Sequence, residues 1–547
     1  MLRPEKAESQ VFKKQQAQNI NFSSSHIIAQ LMKTNIGPNG STKLLENSDG
    51  TLSLTKDGGN LIKQLTIINP TALFIARAAM SQEKMFHDGV STIVTLIDSI
   101  LTQSEYIVNE GIHPRIISNG LLEARDAILT FLDTLSIETP TDRSSLRDIA
   151  NSASLTKCPQ IVSDILVDAI LCTREKKTLK TTRENFKTGE KNETTRTFFD
   201  VDLDRIEVLK VKSQQKDVRL IKGIVLDQGF RHENMPKNMK DVRILLLNVS
   251  LVLEDTAVST YMPVANADQR ERLTIASRKF VENKVKAIIE LRDAIKSDFL
   301  LVNGKGIDGP SLDILSRANI SALRNVSQKN INRLMHATGA RVVNCIDDLT
   351  PQDLGFAGHV FEETFRGEKT VYVDEVKDPK AVAIVIRGLD DTYSGLVESA
   401  VFDGLRALKH AMFDGKILPG AGATEIAINV FLEEYKKKVD PKFRIGINVM
   451  QEAILAIPRC LAENSGLDVA EVIVDMQKEA EGGELGGIDL DTGEVIDPTL
   501  FGIFDNYCVK RGILQSAPIV ATQLLLVDQI IQSGKAKPNE KEEPPKE

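Results

Sequence analysis

Four short loops carry residue types that could hold a phosphate: IGPNG at 36–40, TKDG at 55–58, HDGVST at 87–92 and ILPGAGATE at 417–425. Glycine lets the backbone approach an anion closely. The third and fourth loops each open a stretch of helical pattern, where unpaired N–H groups and the positive end of the helix dipole favour phosphate. Asp88 adds an oxygen ligand of the kind Mg²⁺ takes. Singly, each loop is equally an ordinary turn or helix cap, and six Asp-Gly dipeptides in the chain show how common that signal is.

Other chemistries are excluded by what is missing. No G-x-x-x-x-G-K-[ST] string occurs, and Phe-Asp-Gly at 402–404 and 413–415 is neither the kinase Asp-Phe-Gly nor accompanied by His-Arg-Asp. The seven His show no H-x-x-x-H spacing and the five Cys stand far apart, so a zinc site is not expected. GKGIDG at 304–309 follows a strand-like run as a dinucleotide fingerprint does, yet no Asp or Glu lies between Asp313 and Asp347 to take a ribose. Its plainer reading is a strand-to-helix turn.

The elements that must position these loops follow from pattern. At roughly 150 residues per domain, 547 residues give three to four domains. With 42% hydrophobic and 26% charged residues the chain reads as globular, and a net charge of −8, no Trp and few aromatics argue against nucleic acid as a partner. No run approaches the ~20 apolar residues of a membrane span and the N-terminus lacks a secretory h-region. A reducing, cytoplasmic setting with free thiols is the expectation.

Residues 1–35 and 70–135 read as helical, with Ile93, Ile97, Ile100 and Leu101 on one face and Ile117, Leu121, Ala124, Ile128 and Leu132 on another helix after His113-Pro114. The middle third alternates strands (205–212, 219–226, 242–253, 298–304, 340–346, 369–376, 381–388) with helices near 267–295, 310–319 and 327–338. From 393 the pattern is helical again, broken by 413–425 and by turns and short strands at 486–506. Between helical ends and α/β middle lies 173–197, with eight basic against four acidic residues and almost no apolar anchor, expected to be a solvated insertion. The tail 534–547 is expected to be disordered. This order suits a helical domain built from both chain ends with an α/β domain inserted, although three domains in a row fit equally.

Together and in order, the four loops resemble the nucleotide pocket of the group II chaperonins, whose motifs are L-G-P-K-G, T-K/N-D-G, G-D-G-T-T and P-G-G-G-A-x-E. Matching strings run from MLRPEKAES through NPTALFIARAA, EGIHPRIISNG, LIKGIVLDQGFRHENMP, NGKGID, AENSGLDV and GIDLDTGE to FDNYCVKR. MLRPEKAES, GAGATE and FDNYCVK resemble in particular the zeta-type subunits of the eukaryotic cytosolic chaperonin, CCT or TRiC.

The resemblance implies an α/β multidomain, GroEL-like fold. It comprises an equatorial ATP-binding domain at 1–150 and 399–533, an intermediate hinge at 151–217 and 369–398, and an apical substrate-binding domain at 218–368 with a lid protrusion at 255–283. It implies ATP and Mg²⁺ as cofactors, other chaperonin subunits as partners in an eight-membered hetero-oligomeric ring stacked on a second ring, and unfolded clients such as actin and tubulin. Gly37, Pro38, Gly58, Gly89, Val90, Ser91, Thr92, Lys157, Gly420, Gly422, Asp505 and Lys510 would line the nucleotide, and Asp88 would hold Mg²⁺. Asp57 and Asp403 would activate the attacking water. Lys329, Asn332, Arg333 and His336 share one helical face, opposite Ile331, Leu334 and Met335, and would meet clients.

Two positions depart from the family pattern. His87 replaces the glycine before Asp88, at a position expected to need an unusual φ, and Val90-Ser91 replaces Thr-Thr, removing one hydroxyl. These departures keep open a subunit that binds nucleotide but scarcely hydrolyses it, while GKGIDG leaves a dinucleotide-dependent oxidoreductase as the alternative from another class.

Overall fold

The computed structural model describes residues 10–46, 50, 52–139, 142–154, 161–184, 191–252 and 267–532. The chain divides into two compact units, one made of both ends (1–141 and 414–547) and one of the segment between (142–413). Residues 142–150 and 399–413 thus belong to the inserted unit.

The unit of the chain ends is helical. Its central helix, Val90–Asn109, is buried nearly all round from Ile93 to Leu101, where Ile93, Val94, Leu96, Ile97, Ile100 and Leu101 join the core, as expected of a helix surrounded by others. Helices Lys14–Lys33, Pro70–Phe86, Pro114–Leu135, Pro441–Ile454 and Tyr507–Leu525 contribute to the same core. Pro70 and Pro114 begin their helices, capped by Asn69 and His113. Where Pro114–Leu135 crosses Pro441–Ile454, Gly120 and Gly446 bring the backbones together: a Cβ on Gly446 would lie 2.4 Å from the Ile117 carbonyl oxygen. The stretch 441–464 is apolar enough to cross a membrane by composition, yet much of it is buried in this protein. Gln10–Phe12 pairs antiparallel with Ile530–Gln532.

The inserted unit holds two main sheets. One runs Ile320–Leu323, Phe299–Asn303, Asn238–Leu247, Gly355–Phe365, Glu368–Asp374, Ile224–Leu226, with Val342–Val343 also beside Asn238–Leu247. The other places Val382–Gly388 between Ile206–Lys212 and Asp217–Ile221.

Three expectations need correction. The run 219–226, expected as one strand, serves both sheets and breaks at Gly223, whose Cβ would lie 2.0 Å from the Val373 carbonyl oxygen. The run from 242 ends as a strand at Leu247, with Leu251 making only an isolated bridge to Ile307. The insertion 173–197 is not shapeless: Arg174–Glu184 and Lys191–Val201 pair antiparallel over eleven residue pairs. Its threonines suit a strand, and Phe198, just beyond the segment, packs edge-on against Phe413. Counting charge hid a β-ribbon. Lys157, residues 185–190, the first part of the expected lid protrusion (255–266 of 255–283) and the tail 534–547 lie outside the described residues.

Candidate functional site

In the unit of the chain ends, the first three loops meet and the fourth packs on the same helices: Gly37 and Gly422 lie against Leu461 and Pro458 of Ala456–Asn464, and Gly89 and Glu425 against Tyr507–Leu525. The Lys14–Lys33 helix ends at Lys33, and the chain turns through Gly37 in a left-handed conformation (φ +83°), closely packed on Leu461. Asn464 staples this turn by donating to the carbonyls of Lys33 (2.9 Å) and Ile36 (2.8 Å). Lys56 of the second loop donates to the Pro38 carbonyl at 2.6 Å. Asp57 caps the Gly58–Gln64 helix, one carboxylate oxygen accepting from the Gly59 amide (3.1 Å) and the other from Asn60 (3.2 Å). A carboxylate has about four lone-pair sites, so acceptor capacity remains. Gly58 abuts the third loop: a Cβ there would lie 2.6 Å from Ser91 Oγ and 3.4 Å from a Val90 methyl.

Gly89 is the N-cap of the Val90–Asn109 helix at φ +80°, with no side-chain cap, and the Tyr507–Leu525 helix packs behind it through Val509 and Ile513. The Asp88 carboxylate is exposed and accepts from the Gly89 amide at 2.6 Å. In the fourth loop, Gly422 (φ +80°) is likewise an N-cap without a side-chain cap, for Ala423–Lys438, and the Gly420 amide donates to the Ile503 carbonyl at 2.9 Å. Asp505 faces Leu418 across a short antiparallel pair.

Lys510, only 12% exposed, is ion-paired with Glu425 and, at 3.1 Å, with Asp505. Burial pushes its pKa down, but Asp505 and Glu425 outweigh that and hold the ammonium above its ordinary range. Glu425 and Lys56 received no role from the sequence. Glu425 lay within a loop motif read for its glycines, and nothing in Lys56's neighbours points to the distant Pro38.

A profile of the TCP-1/cpn60 chaperonin family matches residues 28–535. The chain belongs to this family. It is 36% identical over 536 residues to T-complex protein 1 subunit zeta-2 of Mus musculus, covering 96% of this chain and 97% of that protein. To the Homo sapiens protein of the same name it is 35% identical over 538 residues, covering 96% and 98%. The chain is thus a chaperonin subunit involved in protein folding, with the multidomain α/β fold of that family.

Both departures from the chaperonin motif have structural counterparts. His87 ends the Pro70–Phe86 helix at φ +55°, ψ 22°, the left-handed region. A non-glycine side chain there is strained by about 1–2 kcal/mol. His87→Gly is expected to raise unfolding stability by about 0.5–1 kcal/mol, part of the relief being lost to glycine's greater unfolded-state freedom; an unchanged or lower urea midpoint would show that the histidine's contacts outweigh its strain. Val90, 4% exposed, turns a methyl toward Gly58, leaving Ser91 and Thr92 as the hydroxyls of that first turn.

The residues present fit a Mg²⁺-nucleotide. Two helix starts lack side-chain caps, both have glycine at the N-cap, and an exposed carboxylate stands beside one of them. Mg²⁺ in such sites takes one or two carboxylates and otherwise phosphate and water oxygens.

GKGIDG is a turn. Asn303, fully buried, accepts from the amides of Lys305 (3.2 Å) and Val249 (3.3 Å) and donates to the Val249 carbonyl (2.8 Å). Gly304 and Gly306 are packed by Ile331 and Val252, and Asp308 caps the next helix. The Gly304, Lys305 and Asp308 amides donate within the protein, to Leu247, Asn303 and Leu251, which supports the strand-to-helix turn over a dinucleotide site.

Asp403 lies in the inserted unit, on the Asp391–Asp414 helix. On the Gln328–Thr338 helix, Ile331 and Leu334 are buried while Lys329 and Asn332 are exposed. Arg333 differs from them. It pairs with Glu207 at 2.8 Å and donates to the Asp204 carbonyl at 2.7 Å, so it anchors its helix to the neighbouring strand. His336 is half-buried, and burial, followed by the nearby Arg205, lowers its pKa.

Burial pushes the Glu207 carboxyl up to about 7, the Arg333 charge offsetting only part and Asp227 adding to the rise. A carboxyl with a raised folded-state pKa contributes stability that is full below its unfolded value near 4.5 and is lost as pH rises through 7. Glu207→Gln should remove a pH-dependent change on the order of 3 kcal/mol between pH 4.5 and 8. Urea midpoints across that range test this; parallel pH profiles for the two proteins would refute it.

Proposed function

We propose that this chain binds Mg²⁺-ATP and hydrolyses it as one subunit of a hetero-oligomeric, double-ring cytosolic chaperonin that encloses unfolded proteins. The observation that carries the reading is that three loops from distant parts of the chain meet at one uncapped helix start, while a fourth, opening a second such helix, packs on the same neighbouring helices. In the proposed site Gly37 and Pro38 lie against the base and phosphates. The amides of Val90, Ser91 and Thr92 donate to phosphate oxygens, with the Gly420–Gly422 turn along the nucleotide and Asp505 and Lys510 at its ribose end. Asp88 is the carboxylate for Mg²⁺, which when bound neutralises developing charge on the phosphates. Asp57 orients the attacking water. Lys329 and Asn332 are the exposed candidates for client contact.

Photolabelling of the purified assembly with 8-azido-ATP tests nucleotide binding. This chain should be labelled with Mg²⁺ present, protected by excess ATP, and labelled much less after chelation. No protectable label on this chain would contradict the proposal. The strained His87 and the apolar Val90 support a second reading, a subunit that retains nucleotide but turns it over slowly.

A further inference from the structure

Nine residues into the central helix, Asp98 is a buried carboxylate, with Thr95 and Ser104 the other fully buried polar residues of that helix. It is 1% exposed, and neither oxygen makes a hydrogen bond. Its neighbours Ile97, Ile100 and Leu101 are fully or almost fully buried. Among the described residues its charge is met from the Lys14–Lys33 helix, by Lys33 Nζ at 3.2 Å and by His26 Nδ1 at 3.5 Å.

A buried ion pair is a poor device for stability, because the desolvation of both charges offsets their attraction and apolar replacements are often as stable or more so. What this pair does have is a particular connection. Lys33 is the last residue of its helix, and Gly37 and Pro38 lie four and five residues further on. The carbonyl of Lys33 is held by Asn464, and the Thr34 hydroxyl accepts from Lys43 at 2.7 Å, so both anchor the turn to other elements. The Lys33 ammonium ties the same point to the Val90–Asn109 helix, whose first turn belongs to the third loop.

We propose that Asp98 is a positioning residue for the nucleotide site: through Lys33 it fixes the Gly37–Pro38 turn against the helix that carries Gly89 to Thr92. The two loops must hold one ligand between them, and small misplacements of positioning groups carry large penalties in such sites. The inference rests on the proposed reading of these loops as an ATP site.

The test is the double substitution Lys33→Met with Asp98→Leu, measured in the intact assembly. Apolar replacement of both charges should leave the urea midpoint of the chain equal or higher. The 8-azido-ATP concentration that half-labels this chain should nevertheless rise about tenfold, since the turn loses its tether. Lys33→Arg, which keeps the charge, should retain affinity near that of the unsubstituted chain. If the double variant fails to assemble, Lys33→Gln with Asp98→Asn supplies the same readout, because it removes both charges together and keeps the side-chain volumes nearly unchanged. Unchanged half-labelling in a folded variant lacking the pair overturns this inference alone. Absence of protectable labelling in the unsubstituted assembly overturns the ATP reading and this inference with it.

Discussion

Asp57→Asn is expected to lower ATP turnover by this subunit by about 10²–10³-fold while leaving its unfolding midpoint nearly unchanged. The separation is possible because the proposed site gives Asp57 a second job beside capping. Its carboxylate caps the Gly58–Gln64 helix through the amides of Gly59 and Asn60, and asparagine caps about as well as aspartate. What asparagine cannot do is accept a proton from water or carry charge beside one. Asp57→Ala, by contrast, should lose both, adding roughly 1 kcal/mol of destabilisation from the missing cap. Single-turnover hydrolysis in an assembly where only this chain is substituted gives the answer. Equal turnover in Asp57→Asn and the unsubstituted protein would confine Asp57 to capping.

Lys510→Met is expected to have the largest effect on stability, about 3–5 kcal/mol, because it strands Glu425, whose side chain is 3% exposed, without its counter-charge. Asp505 is partly exposed and can be solvated, so the penalty should fall on Glu425. Lys510→Met combined with Glu425→Gln should therefore recover most of the loss. Because the folded-state pKa of Lys510 is raised, the stabilisation it provides is full below the ordinary lysine range and fades only in strong alkali. Urea unfolding of the single and double variants decides this. A single variant as stable as the original would mean that Glu425 finds another partner or takes up a proton.

Much of the helical unit was legible because its signals are local. Proline at helix starts and apolar spacing of three and four placed Pro70–Phe86 and Pro114–Leu135, and every residue assigned to the buried face of the latter is buried. The α/β unit was less legible where strands lack apolar runs. Gly355–Phe365 is central in its sheet but reads GFAGHVFEETF, and it went unassigned. The ribbon from Arg174 was hidden by charge, since threonine and lysine in alternation satisfy a strand as well as a loop.

At the candidate site the glycines declared themselves by motif, whereas the partners that hold them did not. Lys56 to Pro38, Lys510 to Glu425 and Asp98 to Lys33 join residues 18, 85 and 65 positions apart. No local pattern encodes such pairs. Arg333 shows the converse: helical spacing placed it on the client face, and a contact from a strand 126 positions away makes it an anchor.

Native mass measurement of the assembly purified through this chain, with and without Mg²⁺-ATP, tests the central claim most directly. The account predicts one species of sixteen chains in two eight-membered rings, containing this chain among different subunits and gaining nucleotide mass when Mg²⁺-ATP is added. A 60.3 kDa monomer that gains no nucleotide would contradict it.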